Sequence, residues 1–393
     1  MERWANSGAM ALTGLIDHPL GPPSGLVEGI DRLARSFPGL DALALLGERA
    51  ALMGLWRRGA TSCGGSCRLL RAADGWMAVS LPRDDDMALV AAWLELDATP
   101  DSAPAVWDAV ATHVAGDDPH ALKTRAQLLG LPVAQLGEAA GPGGRSGVLR
   151  QRLGDAPAQP DLNGLVVVDL SALWAGPLCG DLLARAGASV LKVESTQRPD
   201  GARRGSRAFF DLLNGHKRSV ALDLHGRDGI RLLHELVAKA DVVIEASRPR
   251  ALAQFGLEGP EVVRLGRPRV WISITGFGRS GEDGNRVAFG DDAAAGGGLV
   301  AWNGGDPLFC GDAVADPLTG LAAADACLSA LRSGGRWFLD VSMASVSAEL
   351  NGPTLPAPAG LNVAAPHARP VEFRASELGS DTADVLLEFG ITD

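Results

Sequence analysis

From residue 165 onward, short runs that are apolar at nearly every position alternate with stretches whose apolar residues recur at helical spacing. The runs fall at 165–170, 189–193, 220–224, 241–245, 270–275 and 337–341. Helical patterns occupy 177–186, 228–240 and 261–265, followed by a longer one over about 317–332. Strands that lack a polar face are buried on both sides. The pattern therefore predicts an α/β fold, a Rossmann-like parallel sheet with helices on both faces, as a large domain over 164–345.

Upstream the texture differs. Residues 68–70 and 76–81 flank Ala73-Asp74-Gly75, which reads as a hairpin whose turn is supplied by Asp-Gly. Helical patterns follow at 86–96, 105–114 and 120–129, the last closing at Gly130. These elements predict a smaller α+β domain over 62–140. Residues 1–61 read as a helical, peripheral segment broken by Pro19, Pro22, Pro23 and Pro38, with its clearest apolar helix at 43–56. Between Gly141-Pro142-Gly143-Gly144 and Ala156-Pro157-Ala158-Gln159-Pro160 the residues are mostly polar and basic, so 141–163 is expected to be a weakly ordered linker. A Pro-rich stretch at 353–370 and a helix at about 382–389 make a C-terminal segment over 346–393.

Charge and composition narrow the function. A formal net charge of −11 gives no global field toward nucleic acid or an anionic membrane. The cluster Arg203, Arg204 and Arg207 reads as solvated surface. No run of eighteen apolar residues is present and no signal peptide is read at the start, so a cytoplasmic protein without a membrane partner is expected. Cys63, Cys67, Cys179, Cys310 and Cys327 are scattered, and one C-x3-C pair is no metal framework, so reduced thiols and no metal site are expected. No Gly-x-Gly-x-x-Gly follows the first sheet strand and no Walker A sequence occurs, which argues against a nicotinamide or ATP enzyme.

The chemistry lies in a set of ordered motifs. Val168-Asp169-Leu170-Ser171-Ala172-Leu173-Trp174-Ala175-Gly176-Pro177 leads to Gly187-Ala188-Ser189-Val190-Leu191-Lys192-Val193-Glu194. Asn214-Gly215-His216-Lys217-Arg218-Ser219 follows and runs into Leu222-Asp223-Leu224. Next come Arg248-Pro249, Ser273-Ile274-Thr275-Gly276-Phe277-Gly278 and Ala315-Asp316-Pro317-Leu318-Thr319-Gly320. In this order they resemble the class III CoA-transferase family, which also holds formyl-CoA and carnitine CoA-transferases and the α-methylacyl-CoA racemases. Asp74-Gly75-Trp76-Met77-Ala78-Val79 through Leu131-Pro132-Val133-Ala134 resembles the family's small domain, which here precedes the large one instead of following it.

The resemblance implies that Asp316 is the catalytic carboxylate of a transferase moving CoA from an acyl-CoA donor to a carboxylic acid, through an aspartyl-acyl anhydride and an enzyme-CoA thioester. Read without it, Asp316 is the N-cap of a helix, a position that also favours the ionised carboxylate. The resemblance places CoA contacts at Trp174, Ala175, Leu222, Asp223, Leu224, His225 and Arg248. Two departures stand out. Ser195 follows Glu194 where the family commonly carries a basic residue, and Phe289-Gly290-Asp291-Asp292-Ala293 has no His where the racemases carry a catalytic one. An acyl-CoA racemase or isomerase is the alternative, and a non-catalytic CoA-binding subunit of a heteromeric transferase is another. No tightly bound cofactor is implied, CoA and acyl-CoA being substrates. The family's interlocked dimers imply a homodimer or a heteromer with a related chain.

Overall fold

The structure is a computed structural model and describes residues 1–140, 146–358 and 360–392. Twelve strands are present among these: β1 (Cys67–Arg71), β2 (Trp76–Ser80), β3 (Val133–Gln135), β4 (Val148–Gly154), β5 (Val166–Asp169), β6 (Ser189–Ser195), β7 (Lys217–Leu222), β8 (Val242–Glu245), β9 (Val270–Thr275), β10 (Val300–Asn303), β11 (Asp306–Phe309) and β12 (Arg336–Ser342). Seven form one sheet in the order β4-β12-β9-β8-β5-β6-β7. All neighbours in it are parallel except β4, which runs antiparallel to β12.

Alternate residues of each strand serve two cores. Val167, Val190, Ile244, Ile272 and Leu339 point to one face, where helices Ala175–Arg185 and Ala315–Ser333 pack. Val168, Leu191, Val243, Trp271 and Phe338 point to the other, against helix Arg227–Lys239 and the C-terminal helix Thr382–Glu388. Both faces are covered, as apolar parallel strands require.

The upstream unit is a three-stranded antiparallel sheet, β1-β2-β3, packed on helices Ala103–Gly116 and Pro119–Leu129 around Trp93, Val110 and Leu122. It docks on the large domain through Ser80, whose hydroxyl donates to Asp292 at 2.9 Å. Arg286 adds hydrogen bonds to the Val133 carbonyl and to Glu138.

Two expectations fail. Residues 1–61 are not peripheral: Trp4, Met10, Leu26, Ile30, Leu43 and Leu46 are buried in the same core as the helices Ala175–Arg185 and Ala315–Ser333. Their Pro breaks permit several short helices, and the apolar run at 43–56 is a 3-10 turn followed by helix Glu48–Met53. The expected linker is also partly ordered. Residues 141–145 lie outside the described residues, but Val148–Gly154 is the edge strand β4. Its arginines stay exposed, which is how a sheet edge avoids further pairing, and that polarity is what disguised it as a linker.

Candidate active site

The turn between β5 and helix Ala175–Arg185 is fixed by buried ion pairs. Lys217 pairs with Asp169 at 2.8 Å and donates to the Pro177 carbonyl, while Lys192 pairs with Asp200 at 2.8 Å and donates to the Ser171 carbonyl. Asp169 in turn accepts the Ser171 amide, and Asp200 the Leu173 amide. Leu173 is thereby held at φ 70°, a left-handed conformation unusual for leucine. Gly176 sits where a Cβ would lie 2.2 Å from the Ser171 side chain, so only glycine lets the turn close this tightly.

Beside the turn, across the C-terminal ends of β5, β6, β8 and β9, opens a cleft of about 760 Å³. Asp316 lies on its floor, and Arg83, Arg198 and Arg248 lie along its walls. Clefts of open α/β sheets form at strand C-termini because the crossover connections diverge there. Arg248 is pushed below the usual arginine range, first by burial and then by the positive charges of Arg250, Arg83 and Arg198. Cations gathered against their own repulsion make a site suited to an anion.

Of the expected contact residues, Ala175, Leu224, His225, Arg248 and Asp316 line the cleft. Trp174, Leu222 and Asp223 do not. Trp174 is buried behind the turn, edge-on to Phe209 with ring centroids 5.0 Å apart. Leu222 faces the sheet core, and Asp223 turns back to accept from Gln197 and from the His225 amide. Arg198 escaped the sequence reading because it lies three residues beyond the position held by Ser195. Arg83 escaped it because the preceding domain, remote in sequence, delivers it. Of the arginine cluster, Arg203 pairs with Glu194 at 2.6 Å and Arg207 with Asp211 at 2.8 Å, while Arg204 is exposed.

Asp316 is no N-cap. It is the second residue of its helix, Val314 holds the cap position, and the nearby Ala175 amide favours its ionised form. Nor does the helix N-terminus dominate its charge. Burial raises Asp316 to about 7, the guanidinium of Arg49 opposes this, and Asp291 and Asp312 add to it. Desolvation outweighs the N-terminal helix charge because the latter is a fraction of one elementary charge. Asp291 stands in the stretch where the racemases carry His, and it too is raised to about 7, mainly by burial. It accepts the Ala313 amide at 3.0 Å and lies outside the cleft lining.

Comparison with known proteins places this architecture. The model of CoA-transferase family III matches residues 162–372, more than half of the chain, and the chain belongs to that family. Residues 62–140 lie outside the match. A succinate–glutarate CoA-transferase of Agrobacterium fabrum is 33% identical over 208 residues, covering 48% of this chain and 52% of that protein. A succinyl-CoA–D-citramalate CoA-transferase of Chloroflexus aurantiacus is 33% identical over 48% of this chain and 50% of its own length. A formyl-CoA:oxalate CoA-transferase of Escherichia coli is 29% identical over 43% of each. The chain thus spans about half the length of the curated relatives it matches. A solved CAIB/BAIF family protein from Brucella suis covers 49% of this chain and 55% of its own, at 33% identity and a TM-score of 0.44. Among the described residues no helix is long and apolar enough to cross a membrane, and no cluster of His, Cys, Asp and Glu could hold a metal ion.

Proposed function

We propose that this chain is a CoA-transferase that moves CoA from an acyl-CoA donor to a carboxylic acid, with Asp316 as nucleophile. The observation that carries the reading is a carboxylate lining an arginine-walled cleft. An Asp316 oxygen attacks the thioester carbonyl, the C–S bond breaks, and CoA leaves as thiolate from an acyl-aspartyl anhydride. The thiolate then attacks the aspartyl carbonyl, releasing the donor acid and leaving Asp316 as a CoA thioester. An acceptor carboxylate attacks that thioester, and the freed thiolate takes the new acyl group, restoring Asp316. The N-terminus of helix Ala175–Arg185 borders the same cleft, and backbone amides there suit a developing oxyanion. Arg248, Arg198 and Arg83 suit the phosphates of CoA. Asp291, standing in place of the racemase His but outside the cleft lining, gives no second base for proton exchange, which favours transfer over racemisation. Five buried free thiols suit a reducing, cytoplasmic setting.

The test is trapping. Full-length protein given succinyl-CoA, oxalyl-CoA or formyl-CoA with a carboxylate acceptor, then hydroxylamine, should carry a hydroxamate in the peptide containing Asp316. Asp316→Ala should give neither modification nor turnover. A mutant that turns over normally would end the nucleophile assignment.

The half-length match favours a second reading, in which this chain acts as one subunit beside a related chain. A Chloroflexus aurantiacus relative, 36% identical over 44% of this chain, is itself a beta subunit. Native mass of the purified chain, alone and with co-encoded relatives, separates a homodimer from a heteromer.

A further inference from the structure

Among the described residues, the cation that acts most on the carboxylate cluster around Asp316 comes from the N-terminal segment. Arg49, on helix Glu48–Met53, presents its fork to Asp312: Nε donates to one oxygen at 2.8 Å and Nη2 to the other at 2.5 Å. Its guanidinium carbon lies 5.4 Å from the ring centre of Trp174, the residue preceding Ala175. Asp312 has no accessible surface. Gly290 presses on the same cluster, since a Cβ there would stand 2.3 Å from both Asp316 Oδ2 and the Ala313 carbonyl.

We propose that Arg49 is a positioning residue for the transfer reaction: held in place by Asp312, it sets the charge that Asp316 carries at neutral pH. The proposal rests on Asp316 being the nucleophile. It assigns a role to residues outside the family match at 162–372, so the N-terminal segment completes the site as well as the core.

The charge count makes the argument. Three carboxylates, Asp291 from helix Gly290–Gly296, Asp312 from the preceding loop and Asp316 from its own helix, meet one guanidinium. Cys63, from the loop before β1, is held neutral, its thiol raised far above the ordinary range by burial and by Asp312 and Asp291. From helix Ala175–Arg185 only the Ala175 amide faces Asp316 among the groups that act on it most. The cleft's own cations, Arg83, Arg198, Arg248 and Arg286, and His225 line it, Arg286 being already paired with Glu138 and Asp283. Removing Arg49 therefore leaves three acids facing one another around the reacting oxygen. An opposite charge within reach of a carboxyl typically lowers its titration by about 1–3 pH units. Its loss should leave Asp316 protonated, and so not nucleophilic, across the physiological range.

The experiment reads Asp316 directly. Infrared difference titration of the full-length protein, with Asp316→Asn identifying the band, follows the carboxyl without any substrate. In Arg49→Met the band should titrate at least one pH unit higher than in wild type, a roughly fivefold smaller ionised fraction at pH 7. Arg49→Lys should recover part of the shift, since it restores the charge without the fork. Because Arg49→Met strands a buried Asp312, the double variant Arg49→Met/Asp312→Asn provides a folded control. It removes one charge of each sign and, because Arg49 acts on Asp316 more strongly than Asp312 does, should return the titration part of the way to that of wild type. Unchanged titration in a cooperatively melting Arg49→Met, or a double variant shifted as far as the single one, overturns the proposal. If the titration shifts as expected but wild-type protein given acyl-CoA never modifies Asp316, the nucleophile reading fails while the electrostatic role of Arg49 stands.

Discussion

At the scale of single residues, burial and two neighbouring acids hold Asp316 at about 7, which places the proposed nucleophile's charge within the physiological range. The rate of CoA release in a single turnover should therefore climb about tenfold per pH unit below 7 and level off above it. A flat profile between pH 6 and 8 would contradict this. Asp292 makes the complementary case for stability. It is raised to about 7 by burial, with Oδ1 accepting from Ser80 and from the Phe289 amide while Oδ2 has no partner. Folded protein keeps the Asp292 proton over an interval in which the unfolded chain, at about 4, has lost it. Stability should fall as pH rises from about 4 to 7 and stay level beyond. Asp292→Asn keeps the acceptor and removes the charge, so urea melts at pH 8 should show a gain on the order of 1–3 kcal/mol. The position of Asp316 was legible because its surrounding motif is local. Its protonation was not, because Arg49 and Asp312 lie 263 residues apart and no pattern in the sequence brings them together.

Among the elements, the turn after β5 concentrates the most buried charge. Lys217 and Asp169 have almost no accessible surface, and each satisfies the other and the backbone around it. Lys217→Met would leave Asp169 uncompensated in the core and should cost about 3–5 kcal/mol, seen as a lower urea midpoint with an unchanged slope. A cost below about 1 kcal/mol would show that the pair is not what holds the turn. The parallel strands could be read from sequence because their apolar runs lie in a sheet covered on both faces. β4 could not, because a charged edge strand and a linker share one composition. β10 and β11 escaped for another reason: they are four residues each and close a local hairpin across Gly304-Gly305, which reads as glycine-rich slack.

For the whole molecule, the C-terminal segment ties the other parts together. Arg369 pairs with Glu48 at 2.6 Å and with Asp181 at 3.0 Å, joining the N-terminal segment to helix Ala175–Arg185. His216 stands 3.2 Å from Asp181 and 3.4 Å from Glu372, which hold its proton above the usual imidazole range. The contact is complete below about 6.5, the unfolded value, and is lost as pH rises through the higher folded value. Limited proteolysis within 360–378 should accelerate with pH over that interval, and the acceleration should disappear in His216→Gln. Equal cleavage at all pH values in the wild type would remove His216 from this role.

The partners of the N-terminal segment also fix the order in which the protein can be made. Arg49 meets Asp312 263 residues later, Thr13 accepts the Gly311 amide 298 residues later, and Glu48 waits 321 residues for Arg369. At a synthesis rate of about 5–20 residues per second, these apolar turns spend roughly 15–60 s outside the ribosome with nothing to fold against. This stretch, translated before its partners, is thus among the last to find its place. Its maturation in the cell depends on whatever shields Trp4, Leu26, Ile30 and Leu46 during that wait.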